Sequence, residues 1–540
     1  MSATAEIAIT RGPDNRSGAA KTALALLIAA PVFAVIATLL ASLARFEPTV
    51  WAHLLDYWLP EVLGNTALIM LGVGLGVTVL GTALAALVAL TDFPGRRVFA
   101  VALLLPMAMP GYVLATVVIG QLDFAGPLAT ALRAVGLPVP PIRSVAGLIL
   151  TLTLTLYPYV YLVARGAFVS QGARTLEAAR LMGFTPWQAF WRVLLPQARP
   201  WILGGALLAL METLADFGTV SAFGVTTFTT AIYRAWFALF SIDVALQLAL
   251  VMLVVVALLV MAERLSRRSA RFVSAQGAQA PLSLGRWRWA ASGLCGGVLL
   301  LGFALPVLQL GHWALSAAAP ISQLLPLAGR SLALAAMAAG LTVTAAVLLA
   351  LVARTTPGRR LATLQTVATL GYALPGPLLA LGLFVPYAGG IQWLNQQFDL
   401  AWMVHGGVSL LLLAYAVRFM AVAHTPLHTQ LMRLSPSVDD AARLLGVGRL
   451  ARLQRVYLPP LNMAMLTAAL LVFVDVMKEM PITLMMRPFG WDTLAVRVFE
   501  FTREGQWADA GAPSLAIVAA GLLPVLLLTR VFNPKADHVS

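Results

Sequence analysis

Long apolar runs, separated by short polar or basic segments, recur from one end of the chain to the other. About 20 helical residues are needed to cross the hydrocarbon core of a bilayer. Runs of that length fall near residues 22–44, 63–90, 98–120, 146–168, 201–222 and 241–262. A second set falls near 291–316, 331–353, 362–389, 404–424, 463–485 and 511–530. The pattern predicts an all-α polytopic membrane protein with about 12 transmembrane helices. The first run is too long for the apolar region of a secretory signal peptide and the chain stays hydrophobic after it, so it reads as a retained helix.

The polar segments repeat as well. LEAARLMGFTPWQAFWRVLLP at 176–196 returns as DDAARLLGVGRLARLQRVYLP at 439–459, and PGRR at 94–97 returns at 357–360. Glu177 and Asp440, Gly183 and Gly446, and Pro196 and Pro459 all lie 263 residues apart. The turn phrases around Pro110-Gly111 and Pro375-Gly376 correspond at nearly the same offset. Six spans return a chain to its starting side, so the two copies share one orientation, a parallel-repeat plan used by transporters. The implied organisation is an N-terminal tail 1–21, a first half 22–262, a basic linker 263–290, a second half 291–530 and a C-terminal tail 531–540. The substrate path would run between the halves.

Composition agrees with this class. Of the 540 residues, 60% are hydrophobic and 11% charged, against about 25% charged in soluble domains. A net charge of +14 would suggest nucleic acid as the partner of a soluble protein. Here the basic residues cluster between spans, as the positive-inside rule describes, so the bilayer is the partner and nucleic acid is not. Arg11, Arg16, Lys21, Arg96, Arg97, Arg264, Arg267, Arg268, Arg271, Arg286, Arg288, Arg354, Arg359 and Arg360 fall on the side that carries both copies of the repeated phrase. That side reads as cytoplasmic, with both termini inside. The single cysteine, Cys295, excludes an internal disulfide and a cysteine-ligated metal site.

In the repeated phrase, Ala178, Ala179, Leu181 and Met182 favour a short helix that Gly183 and Pro186 end. A second helical stretch from Trp187 to Leu195 places Phe190, Val193 and Leu194 on one face. An apolar stripe of this kind requires a partner surface. The pattern Glu-Ala-Ala, three residues, Gly, then a dozen residues and Pro resembles the coupling-loop motif of ABC importer permeases of the binding-protein-dependent type. The resemblance covers nearly the whole chain. It implies that Glu177, Ala178, Ala179 and Gly183 form one ATPase docking site and Asp440, Ala441, Ala442 and Gly446 the other, with Asp replacing Glu in the second copy. It also implies two copies of a cytoplasmic ABC ATPase, a periplasmic substrate-binding protein, a bacterial inner-membrane location and alternating access as the mechanism. A Walker A loop requires Gly-Lys followed by Ser or Thr, and none of Lys21, Lys478 and Lys535 follows a glycine. ATP and Mg would therefore be used by the partner; this chain is expected to bind no cofactor and to be a permease subunit rather than an enzyme.

The span after each repeated phrase carries acids: Glu212 and Asp216 in the first half, Asp475 and Glu479 in the second, again 263 residues apart. The i, i+4 spacing predicts both carboxylates of a pair on one helical face. For a helix beginning near Trp201, Glu212 would lie roughly 17 Å along it. Intramembrane acids usually face a pathway or a partner. Four of them could meet a hard cation transiently through oxygen ligands, or act as gate or packing elements; Lys478 beside Glu479 favours the latter. The stretches 212–237 and 475–500 resemble fused permeases of ferric-iron importers, which makes ferric iron the expected cargo. Thiamine or another small organic cation is the alternative, and an ATP-independent secondary transporter is the rival from another class. His424 and His428 have metal-pair spacing but read as helix-end residues. Tyr157, Tyr159 and Tyr161 read as packing tyrosines and the PGRR turns as topology anchors. The region 486–510, with Arg487, Asp492, Arg497 and Trp507, reads as periplasmic, where it would meet the binding protein.

Overall fold

The computed structural model describes residues 15–45, 48–268, 282–317, 321–356, 358–399 and 407–532. Most of the N-terminal tail, the middle of the linker 263–290, the start of the expected span 404–424 and nearly all of the C-terminal tail lie outside the described residues. Among the described residues, twelve helices are long and apolar enough to cross a membrane: Gly18–Arg45, Trp51–Leu90, Gly111–Ala134, Val145–Ser170, Pro186–Ala215, Ile242–Glu263, Gly285–Ser316, Ser322–Thr355, Gly376–Phe398, Val408–Arg433, Leu453–Lys478 and Trp507–Leu526. They are called the first to twelfth spans below. The end of the bundle that carries the repeated Ala-Ala…Gly phrases is called the motif end, and the other the distal end.

The repeat is visible in local backbone detail. A five-residue π-helical turn occupies Phe190–Leu194 in the first half and Leu453–Tyr457 in the second, again 263 residues apart. Each precedes a proline at the second position of the following helix. Proline has no N–H for the i→i−4 bond and its ring crowds that carbonyl. Widening the turn lets the preceding residue bond five back instead: Leu195 N–H reaches Phe190 O and Leu458 N–H reaches Leu453 O. The same device stands before Pro60 and Pro306.

Two spans read as continuous are interrupted. Near 98–120 the chain forms a helix Arg96–Ala102 and a 3₁₀ turn Leu105–Ala108, and the spanning helix starts only at Gly111. Near 362–389 it forms Arg359–Thr369 and Leu370–Ala373, with a new start at Gly376. In both, proline holds the preceding backbone extended and the next helix starts after it. Lipid tails give helices no hydrophobic reason to associate, so close approach and polar contacts must hold them together. Gly72, Gly76 and Gly81 supply the approach between the second and fourth spans, since a Cβ at these positions would meet Ile149, Thr153 and Val160 within 2.6–2.7 Å.

The first span of each half reaches the other half, and the seventh also packs on the twelfth span of its own half. The first lies against the eighth and ninth spans, with Val35 seated on Gly382, and the seventh against the third and twelfth, with Trp313 over Gly120. The two halves are thereby interlocked, and one apolar core runs continuously through both. The linker re-enters as Leu282–Ser283, which pairs in parallel with Thr91–Asp92 after the second span. Of the PGRR turns, Arg96 donates to Val88 O (2.7 Å) and Ala89 O (3.1 Å), capping the last carbonyls of the second span.

Candidate functional site

A cavity of about 210 Å³ lies between the halves and is lined by all four predicted acids, Glu212, Asp216, Asp475 and Glu479. Their helical setting differs from the expectation. The first-half helix runs Leu195–Ala215 and the second-half helix Leu458–Lys478. Only Glu212 and Asp475 are inside helices; Asp216 and Glu479 stand in the breaks that follow, with extended backbone. The members of a pair therefore do not share one helical face. With its start at Leu195, the helix also places Glu212 about 26 Å from its beginning rather than roughly 17 Å.

The breaks have local causes. Asp216 accepts from Thr219 N (2.8 Å), Val220 N (3.2 Å) and Thr219 Oγ1 (2.7 Å), so its side chain takes over donors at the start of the short helix Gly218–Ala222. Glu479 accepts from Ile482 N (3.2 Å) at the start of Pro481–Met486, and Pro481 disfavours helix in the residue before it. Each acid also faces the glycine that opens the interrupted span of its own half. A Cβ on Gly111 would lie 3.2 Å from Asp216 Oδ2, and one on Gly376 3.2 Å from Glu479 Oε1. Each carboxylate thus sits where two helices begin, and helix N-termini favour negative charge. Asp216 and Glu479 hold the breaks together as well as lining the cavity, whereas Glu212 and Asp475 line it from within helices.

The remaining charges come from the second half. Lys478 and Arg418 line the cavity, at positions where the first half has Ala215 and Thr155. Four carboxylates against these two cations leave a formal surplus of two negative charges. Lys478 Nζ donates across the interface to Met107 O (3.1 Å), and Tyr112 Oη donates back to Lys478 O (3.3 Å). Tyr372 Oη donates to Glu212 Oε1 across the same interface (3.0 Å). Arg418, only 7% exposed, holds the interrupted ninth span through Tyr372 O (2.9 Å) and Leu374 O. Arg418, Tyr372 and Tyr112 were missed by the sequence reading, although an arginine within LLLAYAVRFMAVAH is itself a signal of an intramembrane charge. Among the described residues, no three His, Cys, Asp or Glu side chains are grouped closely enough to hold a metal ion. The four acids therefore line a cavity without forming a preassembled ligand set among the described residues.

At the motif end, the repeated phrases share a cap. Gly183 and Gly446 both adopt left-handed backbone (φ +84° and +69°). Phe184 N donates to Ala179 O and Val447 N to Ala442 O, each at 3.0 Å, the Schellman closure of a helix. Ala179 and Ala442 are buried, whereas Leu181 and Leu444 are 91% and 88% exposed, and Met182 and Leu445 are also exposed. The side chains of Glu177 and Ala178 lie outside the described residues; Asp440 and Ala441 are exposed.

The other flagged residues have plain roles. Tyr157 and Tyr161 donate to Leu103 O (2.9 Å) and Ala100 O (3.1 Å), tying the fourth span to the interrupted segment, while Tyr159 lines the cavity. His424 and His428 stack at 5.2 Å inside the tenth span, and the Gln365 amide lies 3.2 Å from His424 Nε2. At the distal end Arg487 pairs with Asp492 (2.6 Å) and Glu500 (2.8 Å), Arg497 pairs with Glu500 (3.0 Å), and Trp507 stacks on Trp313.

Twelve apolar spans in two interlocked halves, with a charged cavity between them, define a two-half membrane permease. Comparison with known proteins narrows the class. Residues 78–271 match the family model of the binding-protein-dependent transport system inner membrane component. The Fe(3+)-transport system permease protein FbpB 2 of Haemophilus influenzae is 28% identical over 482 residues, covering 87% of this chain and 90% of that protein. A 2-aminoethylphosphonate transport system permease protein of Salmonella typhimurium is 32% identical over 31% of this chain and 60% of its own length. The molybdenum transport system permease protein ModB of Azotobacter vinelandii is 30% identical over 27% of this chain and 64% of its own length. The chain is thus similar over nearly its whole length to a fused, two-half permease, and its first half carries the matched permease component.

Proposed function

We propose that this permease imports ferric iron, delivered by a periplasmic binding protein and driven by two copies of a cytoplasmic ABC ATPase. The carrying observation is the likeness to a ferric permease over nearly the full length of both chains. The surplus of acid in a cavity lined by both halves supports a cationic cargo. Glu212 and Asp475 are the residues that would meet it, and Asp216 and Glu479 hold the broken helices around it. The exposed pairs Leu181-Met182 and Leu444-Leu445, each in front of its capped glycine, suit insertion into a groove on an ATPase. Both termini then lie in the cytoplasm with the motif end. ATP closure of the motor subunits would move the two docking segments and open the cavity alternately to each side, with no cofactor held by this chain.

The test is ATP hydrolysis by the nanodisc-reconstituted permease with its ATPase and binding protein, loaded in turn with ferric iron or thiamine. Stimulation by the iron-loaded form alone is expected. Stimulation by thiamine would transfer the same architecture to an organic cation. Cargo transport that continues without ATP would end the ABC reading of the docking segments.

A further inference from the structure

A second cavity, of about 390 Å³, opens at the distal end and is lined by Phe217, Ser221, Thr230, Tyr233, Arg234 and Arg503 among others, with no acid in its lining. That volume is in the range of small-molecule sites. Arg234 donates to Thr226 Oγ1 (3.3 Å), and the Arg503 guanidinium lies 5.8 Å from the centre of the Phe499 ring. Neither has a carboxylate partner among the ion pairs of the described residues.

The duplicated half shows what a neutralised version looks like. Arg497 is the 263-residue counterpart of Arg234 and is paired with Glu500 at 3.0 Å. The counterpart of Glu500 is Phe237, which lines the distal cavity. The first half thus keeps the arginine and has an aromatic ring where the second half has the compensating acid. Phe217 lines both this cavity and the acidic one, is 2% exposed, and packs between Tyr233 (5.1 Å) and Phe499 (5.7 Å). A single aromatic side chain therefore forms a wall common to the arginine-lined and acid-lined spaces.

We propose that the distal cavity is a binding site for a small oxyanion, a carboxylate or phosphate that reaches the permease with its cargo. Guanidinium groups bind such anions through paired, charge-assisted hydrogen bonds, and both arginines are exposed to an incoming anion. The Ser221 and Tyr233 hydroxyls add neutral donors, while two arginines repel a bare cation. A cargo arriving as an anion complex would meet arginines first and carboxylates only beyond Phe217. The inference extends past the proposed cargo, since the site is defined by the anion and not by the metal.

The experiment is calorimetric titration of the full-length permease in nanodiscs with citrate and, separately, with inorganic phosphate. Saturable binding of at least one anion is expected, weakened at least tenfold in Arg234→Gln/Arg503→Gln and reduced by salt. Phe237→Glu, which copies the second-half arrangement, is expected to weaken binding similarly while leaving both arginines in place. Unchanged thermal unfolding midpoints exclude misfolding as the cause. Absence of saturable binding of either anion, or equal binding by both variants and the parent, would overturn the proposal. So would variants that bind both anions normally but lose capture of the binding protein, because the cavity would then be a protein contact. Anion binding in a permease that does not respond to iron-loaded binding protein would sustain this site while ending the ferric-iron reading.

Discussion

The two copies of the repeated phrase are built differently. In the first half the fourth-span helix continues without interruption through the motif, as Val145–Leu181. In the second half the tenth span ends at Arg433 and Pro436–Leu444 forms a separate helix. Ser435-Pro436 supplies the stop and restart, and the matching first-half stretch has no proline. The separate helix is latched: Arg354 binds Asp439 Oδ2 (2.9 Å), Leu434 O (3.1 Å) and Ser435 O (3.3 Å), and Tyr457 Oη donates to Asp439 Oδ1 (2.5 Å). The first-half counterparts of Arg354, Asp439 and Tyr457 are Thr91, Leu176 and Leu194, which cannot form such a latch. The cavity shows the same bias, since Lys478 and Arg418 have only Ala215 and Thr155 as counterparts. The charged fastenings thus lie in the second half, while the first half has the continuous helix.

Breaking the latch should give the largest effect. Asp439→Ala leaves Arg354, 8% exposed at its side chain, without its partner, and removing one member of a buried pair costs about 3 kcal/mol. A fall of that size in unfolding free energy, together with loss of ATPase coupling, is expected; a change below about 1 kcal/mol would show that the latch is ornamental. Next comes the bond joining the halves at the cavity. Tyr372→Phe removes a hydrogen bond to a carboxylate, worth about 2 kcal/mol, and should lower both the melting temperature and transport. Equal loss in Glu212→Gln and in the double variant would assign the effect to this pair.

A smaller contrast separates the two glycines that open the interrupted spans. A Cβ at Gly111 would lie 2.5 Å from Thr219 Oγ1, whereas the nearest atom at Gly376 is 3.1 Å away. Gly111→Ala should therefore cost about 1–2 kcal/mol and Gly376→Ala less; the reverse order would contradict the tighter first-half packing. The smallest effect concerns Glu500. Burial raises its pKa, but hydrogen bonds from Arg487 and Arg497 outweigh burial and hold it below the ordinary 4.5. Its stabilising contribution is present above that ordinary value and lost as pH falls through the lower, folded-state one. Because the site is partly exposed, Glu500→Gln should cost less than about 1 kcal/mol at neutral pH and nothing in strong acid. At the matched position, Phe237→Leu should show no pH dependence.

Much of this was legible along the chain. Hydropathy marked every span, and the 263-residue spacing located both repeated phrases and all four acids. The helix breaks were not legible, because Asp216 and Glu479 read as further turns of an apolar helix until their side chains were seen capping the next one. Tyr372 gave no signal either, since its importance comes from Glu212, 160 residues away and in the other half. Arg418 could have been found as an arginine within a span, yet its role in bracing the interrupted ninth span depends on backbone that only the fold brings near it.

The sequence by itself determined the class of protein, its duplication and the number of its spans, because bilayer thickness and residue hydropathy act locally and repeat wherever the residues do. The tertiary structure alone decided which acids face the cavity, which half neutralises them, and how the first span of each half crosses to the other. In lipid, helices choose partners through close backbone approach and long-range polar contacts, and neither is written in the hydropathy of a single span.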